Sequence, residues 1–193
     1  MHIDLFSSPL KCDSCILGKQ THSSVLKVRE GEQALSPLHR VYINLCGPMP
    51  ITSRSSHLYS MNVIDNFSGY IWSLPLKLKS DALTILKAWH HAVENQSGHK
   101  LKIIITNNGE LVSNSMLDWC LTHSIDHQRT APYMSAQNGH AEHLHRTILE
   151  HAHAMHLTCN TPASLWDEFC ATAAYLGNLT ASSFIAEKTP YEL

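Results

Sequence analysis

The pattern of apolar and polar positions along the chain predicts five strands and four helices. Apolar residues alternate or run together in short segments typical of strands, at residues 41–45, 58–65, 70–76, 101–106 and 125–130. They recur at helical spacing in longer segments, at residues 80–97, 113–123, 140–156 and 162–178. The resulting order, β-β-β-α-β-α-β-α-α, predicts a three-layer α/β fold in which helices flank a five-stranded mixed sheet.

Local signals refine these elements. Short connections between the first three strands predict an antiparallel meander. Ser80 is the predicted N-cap of the first helix, and Gly98 its predicted end. Residues 131–139 combine Pro, Ser, Asn and Gly and predict a mobile loop. The tryptophans fall within strands and helices, so we expect core positions for Trp72, Trp89, Trp119 and Trp166.

Composition then narrows the class of protein. Hydrophobic residues make up 44% of the 193 residues, which is too many for a disordered chain. No apolar run approaches the roughly 20 residues of a membrane helix. The first residues lack the pattern of a signal peptide, so we expect an intracellular protein that is not secreted. The 15 histidines outnumber the 14 lysines and arginines and the net charge is -2, which argues against a strongly basic nucleic-acid binder.

Three polar residues follow predicted strands or open a predicted helix. Asn44 ends the first strand, Asn107 follows the fourth, and Glu142 opens the third helix. Functional residues of α/β sheets gather where strands end, so we expect these segments to converge at one edge of the sheet.

A series of motifs in a fixed order carries a resemblance to a known family. They are Cys12-Asp13-Ser14-Cys15, Asn44-Leu45-Cys46-Gly47-Pro48, Val63-Ile64-Asp65-Asn66-Phe67-Ser68-Gly69, Thr106-Asn107-Asn108-Gly109-Glu110, Thr130-Ala131-Pro132-Tyr133, Gln137-Asn138-Gly139-His140-Ala141-Glu142, His145-Arg146-Thr147 and Thr189-Pro190-Tyr191-Glu192. With these motifs the chain resembles the integrase catalytic core of Copia-type long-terminal-repeat retrotransposons, especially fungal ones. The resemblance spans nearly everything from Cys12 to Leu193.

The resemblance implies a ribonuclease-H-like fold and a catalytic triad of two aspartates and one glutamate. In that family the carboxylates hold two Mg²⁺ or Mn²⁺ ions that activate the attacking oxygen and stabilise the leaving oxygen. The motifs place the triad at Asn44, Asn107 and Glu142, so both aspartate positions hold asparagine. Magnesium prefers anionic oxygen ligands, and an asparagine carbonyl brings no charge. We therefore expect weak metal binding through Glu142 and no useful strand transfer.

Two alternatives to a degenerate triad stay open. Asn44 and Asn107 would each be read as ordinary turn residues if they stood alone. Other carboxylates could also replace the lost ones, since Asp65 ends the second strand and Glu110 lies three residues after Asn107.

The resemblance also implies a domain division and a zinc site. Residues 1–36 are interpreted as the remnant of an N-terminal zinc-binding segment with its linker, and residues 37–193 as a C-terminally truncated catalytic core. Cys12 and Cys15 have the spacing of a zinc knuckle. The family completes this site with two upstream histidines, whereas only His2 lies upstream here. Zinc would be held by half a site, to which His22 could contribute.

DNA contacts in the family fall on the glutamate-bearing helix and the preceding loop. The corresponding residues are Arg129, Tyr133, Gln137, Asn138 and Arg146. The alternative for Arg146 is that it is a solvent-exposed helix residue without a role in DNA binding. Affinity for DNA comes mainly from phosphate neutralisation, and the third helix carries six histidines, mostly neutral near pH 7, against one arginine. We expect weak DNA binding that strengthens in mild acid.

The histidines of this helix have two further interpretations. The pairs His140 with His143 and His153 with His156 are spaced i, i+3 and could share a metal ion. Several histidines also stand where the family commonly has arginine. Arginine-to-histidine and aspartate-to-asparagine changes are both single G-to-A changes, which suggests cytosine deamination of a silenced element as one cause.

The sequence thus predicts an integrase core that is catalytically inactive. The first alternative is a nucleic-acid-binding or scaffold domain retained by a host after catalysis was lost. The second is a residual metal-dependent nuclease. The ancestral function implies DNA as partner, a homodimer as a candidate assembly and the nucleus as its compartment.

Overall fold

The computed structural model describes residues 34–106, 111–129, 135–181 and 188–193, and the side chains of residues 135–142 lie outside this description. Five strands form one sheet. They are β1 (Arg40–Cys46), β2 (Tyr59–Asp65), β3 (Ile71–Leu76), β4 (Ile103–Thr106) and β5 (Asp126–Arg129). The spatial order is β3-β2-β1-β4-β5. The first three strands are mutually antiparallel, whereas β4 runs parallel to β1 and β5 parallel to β4.

Within the described ranges, four α-helices pack against this sheet. They are α1 (Ala82–Ser97), α2 (Asn114–Thr122), α3 (Ser135–Cys159) and α4 (Trp166–Asn178). Local chemistry explains two of their ends. Gly98 adopts a left-handed φ of 71° and closes α1, a conformation that suits glycine. Ser113 caps α2, since its hydroxyl accepts the Met116 N–H. Among the described helices, none has both the length and the apolar character required to cross a membrane.

Side-chain alternation along the strands divides the core into two layers. Successive strand residues point to opposite faces of a sheet. Val41 and Ile43 of β1 therefore share one face, where they pack with Leu86 and Trp89 of α1 and Met116 of α2. Apolar side chains dominate this layer, and their burial is its main stabilising contribution.

The second layer covers the other face of the sheet with α3 and α4. Tyr42 and Ile64 pack there against Ile148 of α3 and Cys170 and Ala173 of α4. Because Asn44 lies two residues after Tyr42, alternation places it on this same face. The α3–α4 layer therefore covers the part of the sheet where the functional residues are expected.

The predicted architecture is confirmed: five strands form a mixed sheet, β1 to β3 form the expected meander, and helices cover both faces. Three local expectations are wrong. Asp81, rather than Ser80, precedes α1, because a short 3-10 turn at Lys79–Asp81 leads into it. Trp72 and Trp166 are half-buried, whereas Trp89 and Trp119 are core residues.

The third error concerns the loop predicted at residues 131–139. Residues 135–139 form the first turns of α3. Asn138 and Gly139 have low helix propensity, at a cost of about 1 kcal/mol for the glycine. Packing of this long helix against α4 and the sheet outweighs such local preferences. Residues 130–134 lie outside the described part of the chain.

Candidate functional site

The candidate site lies at the edge of the sheet where β1, β3, β4 and β5 end and β2 begins. The strand register fixes this arrangement: Cys46 pairs with Ser60, and Ile43 with Thr106. Thr106 in turn pairs with Arg129 at the end of β5. Asn44 therefore lies one residue beyond the pair that Ile43 forms with Thr106, the last residue of the neighbouring parallel strand β4. Asn107 follows Thr106 in the chain but lies outside the described residues.

A row of uncharged polar side chains crosses the sheet at Asn44. Asn44 pairs with Asn62 of β2, and Asn62 pairs with Ser73 of β3. Asn62 is only 1% exposed, although it carries a polar amide. The Ser60 hydroxyl lies 3.4 Å from both the Asn62 Oδ1 and the Ser73 Oγ. Buried polar groups need such partners, so these contacts explain why β2 tolerates an asparagine in its centre.

Helix α3 meets this row through His145. The His145 Nδ1 lies 2.5 Å from the Asn62 Nδ2. Burial lowers the pKa of His145 below its usual value, because a desolvated imidazole resists protonation. His145 is thus a neutral group that joins α3 to the sheet beside Asn44. Glu142 lies three residues earlier in the same helix, and its side chain is outside the described ones.

Asp65 is too far from this row to contribute a carboxylate to it. It pairs with Val41, three residues along β1 from Asn44, which corresponds to about 10 Å of strand. Its side chain accepts hydrogen bonds from the Leu38 and Ser68 backbone N–H groups and from the Ser68 hydroxyl. Burial outweighs these bonds and raises the pKa of Asp65. Asp65 secures the opposite edge of the sheet, and Glu110 lies outside the described residues.

The donor set around Asn44 does not fit a pair of Mg²⁺ ions. Its described neighbours are amides, hydroxyls and a neutral imidazole, whereas magnesium prefers carboxylate oxygens. Within the described ranges, no three His, Cys, Asp or Glu side chains are grouped so that they could hold a metal ion. The described residues around Asn44 therefore supply polar but uncharged groups.

The two described arginines among the predicted DNA contacts occupy different settings. Arg129 is exposed at the end of β5, on the same edge of the sheet as Asn44. The Arg146 Nε lies 3.7 Å from a Glu150 carboxylate oxygen, one turn further along α3, and both side chains are partly buried.

The remaining predicted residues are only partly described. Gln137 and Asn138 lie in the helical backbone of α3, but their side chains are not described. The predicted zinc and DNA contacts outside the described residues are Cys12, Cys15, His22 and Tyr133. Of the histidine pairs, His153 is exposed and the ring of His156 packs edge-on against Phe169.

A buried acid–imidazole pair at the same edge was missed by sequence reasoning. The His57 Nδ1 donates to the Asp167 Oδ2 at 2.8 Å, and the Ser53 hydroxyl donates to the same carboxylate. Burial opposes the charge of Asp167, but these bonds outweigh it and hold the pKa below its usual value. His57 and Asp167 are 110 residues apart in sequence, so no local spacing could have signalled the pair. Asn62 was also missed, although a lone amide within an apolar strand is itself a signal.

Comparisons with known proteins agree with this architecture. The sequence model of the family described as "Integrase core domain" matches residues 35–135, so the chain belongs to the integrase core domain family. It is 36% identical over 180 residues to the retrovirus-related Pol polyprotein from transposon TNT 1-94 of Nicotiana tabacum. That match covers 93% of this chain and 13% of the polyprotein, so the chain spans about an eighth of its relative.

Solved structures confirm the fold. A chain of the simian T-cell lymphotropic virus intasome, in complex with the PP2A regulatory subunit B56 gamma, matches with a TM-score of 0.67 and 18% identity. The match covers 94% of this chain and 62% of that one. The catalytic core domain of HTLV-2 integrase, in complex with magnesium in a dimeric form, matches with a TM-score of 0.58 and 20% identity, covering 81% and 96%. The chain therefore has the ribonuclease-H-like fold of these integrase cores.

Proposed function

We propose that this chain is a retrotransposon integrase core whose catalytic centre is degenerate, so that it descends from a DNA-integrating enzyme and is itself inactive. The observation that carries the proposal is the environment of Asn44. Its cross-strand neighbour is the buried amide of Asn62, and the nearby helix contributes the neutral His145. None of these groups can replace the negative charge of an aspartate at the end of β1.

The charge balance explains the expected inactivity. An intact triad offers three carboxylates to two dications, whereas Asn44, Asn107 and Glu142 offer one. Magnesium gives up its water reluctantly and needs anionic ligands to do so. The chemistry that metals would supply, activation of a nucleophile and stabilisation of the leaving oxygen, therefore lacks its ligand set. The Asp65 carboxylate, at the opposite edge of the sheet, accepts hydrogen bonds from Ser68 and Leu38.

Restoring the carboxylates tests the proposal. The variant Asn44→Asp/Asn107→Asp should bind Mn²⁺ more tightly than the unaltered chain, measured by titration calorimetry. It should also gain strand-transfer or nuclease activity in Mn²⁺. In the same background, Glu142→Gln should remove both gains, because the third ligand of the triad is lost.

A matched control separates site chemistry from added charge. Asn95 and Asn114 are exposed residues of α1 and α2, on the other side of the sheet. The variant Asn95→Asp/Asn114→Asp adds the same two charges there and should leave metal binding unchanged. The proposal is refuted if the unaltered chain binds Mn²⁺ and cleaves DNA as well as the Asn44→Asp/Asn107→Asp variant does.

The proposal extends to weak DNA binding. Three exposed histidines of α3, His143, His151 and His153, stand on the helix that the family uses for DNA. An imidazole lacks the permanent positive charge of arginine, so these side chains contribute little phosphate neutralisation. Homodimerisation and nuclear residence, as for an ancestral integrase, belong to the same proposal. One solved relative is described in a dimeric form, which supports the dimer.

A host-retained, non-catalytic binding domain is a second candidate. Both apolar layers of the core are present across the described residues, which supports a role as a folded binding domain. A domain of this kind would be expressed in the host and would bind a specific partner. Detection of the endogenous protein together with a reproducible binding partner would favour this candidate.

A further inference from the structure

The connection between β1 and β2, residues 47–58, forms a compact projection that we call the β1–β2 arm. Its base is closed by the Met49 N–H, which donates to the Leu58 carbonyl at 2.7 Å. Its tip is a tight turn in which the Ser56 N–H donates to the Ser53 carbonyl at 2.9 Å. Arg54 and Ser55 are the two central residues of this turn and are exposed. The arm therefore presents Arg54 at its tip.

Contacts to the start of α4 hold the arm in place. The Arg54 backbone N–H donates to the Ser164 carbonyl at 2.7 Å. The Trp166 indole N–H donates to the Ile51 carbonyl at 2.9 Å. The buried Asp167 carboxylate binds His57 and Ser53 from the other side of the turn. With both flanks of the tip anchored, the position of Arg54 is set before any partner binds, which lowers the ordering cost of binding.

The charge of Arg54 is left available. No ion pair joins the Arg54 guanidinium to any carboxylate of the described residues. The start of α4 brings two acids towards the arm, but Asp167 is engaged by His57 and Ser53, and Glu168 is exposed to solvent. Residues 47–64 contain no Asp or Glu, although the whole chain is net negative. Exposed hydroxyls flank Arg54 at Thr52, Ser55 and Ser56.

We propose that the β1–β2 arm is a rigid contact for the sugar-phosphate backbone of a nucleic acid, with Arg54 as its charged tip. A guanidinium surrounded by hydroxyl donors suits phosphate oxygens, which accept from arginine, serine and threonine alike. The arm leaves the sheet three residues after Asn44, so a duplex lying over the candidate site would reach it. This proposal rests on the proposed nucleic-acid binding and adds a surface outside α3 and its preceding loop.

A salt series tests the proposal on the full chain. Binding of a fluorescently labelled DNA duplex of arbitrary sequence is followed by anisotropy at neutral pH over increasing salt. Each phosphate contact contributes about 0.9 to the slope of log affinity against log salt, so Arg54→Ala should lower the slope by about that amount. Arg54→Lys should keep the slope because it keeps the charge. His57→Ala should weaken binding with little change of slope, because it frees the arm without removing the cation.

Lys102 provides the matched control. It is an exposed lysine that precedes β4 at the opposite edge of the sheet, so Lys102→Ala removes one charge far from the arm. For Lys102→Ala, the slope of log affinity against log salt should equal that of the unaltered chain. An unchanged slope for Arg54→Ala, or an equal loss for Lys102→Ala, would overturn the role of the arm and leave the proposed integrase descent intact. An unaltered chain that fails to bind DNA at the lowest salt would overturn nucleic-acid binding itself, whereas the metal titrations would still test the degenerate triad.

Discussion

Substitution of His57 by alanine should measure how strongly the arm is held to α4. The Asp167 side chain is only 3% exposed and that of His57 is 20% exposed. Besides the 2.8 Å bond from His57, the carboxylate accepts from Ser53 and from the Glu168 backbone N–H. His57→Ala removes one of three donors and leaves the charge buried.

The magnitude follows from these contacts. A hydrogen bond to a charged group contributes about 1.5–3 kcal/mol to stability. We expect His57→Ala to lower the free energy of unfolding by about 2 kcal/mol, or Tm by roughly 4–8 °C for a domain of this size. The folded-state pKa of Asp167 lies below its unfolded value, so this contribution is present above about pH 4 and is lost as the pH falls through the folded-state value.

Urea and thermal denaturation at pH 7 provide the measurement. His99→Ala is the matched control, because His99 is an exposed histidine just after α1 whose side chain makes no hydrogen bond to another described residue. A cycle that combines His57→Ala with Asp167→Asn should show a coupling free energy, since the two groups touch. Equal stability of the His57→Ala and His99→Ala variants at pH 7 would refute the inference that this pair anchors the arm.

Three further outcomes follow from the structure. His90 is buried against Glu94, and burial lowers its pKa, so the chain should lose stability as the pH falls below about 6.5. A free energy of unfolding from urea denaturation that stays constant between pH 7 and pH 5 would contradict this. Gly47→Ala should destabilise the fold by about 1–3 kcal/mol, because φ is 120° and a Cβ would lie 2.7 Å from the Leu58 carbonyl oxygen; an unchanged Tm would speak against it. Among the described thiols, exposed Cys159 should react first with a labelling reagent at pH 8, as read by peptide mass spectrometry, and preferential labelling of any buried thiol would disagree. Burial raises the pKa of the other three to about 11 for Cys46, 11 for Cys120 and 12 for Cys170.

Much of the fold was predictable because its signals are local. The alternation in β1 and the helical spacing around Leu86 and Trp89 appear in the structure as the apolar layer they imply. The errors arose where tertiary contacts outweigh local preference. Residues 135–139 are helical despite Asn138 and Gly139, because the rest of α3 packs against α4.

The candidate site divides in the same way. Motif order alone placed Asn44, Asn107 and Glu142 in triad positions, and their degenerate role stays a prediction to be tested by the aspartate variants. The register of β1 and β2 could not be derived from either strand alone. That register places Asn62 beside Asn44 and Asp65 at the opposite edge of the sheet.

The sequence by itself therefore determined the class of fold and the order of its elements, because both depend on residue identity and short-range spacing. The tertiary structure decided which distant residues meet. His145 reaches Asn62 across 83 residues, and Asp167 reaches His57 across 110. Contacts over such separations depend on strand register and on how helices pack against the sheet, and neither is encoded in a local pattern.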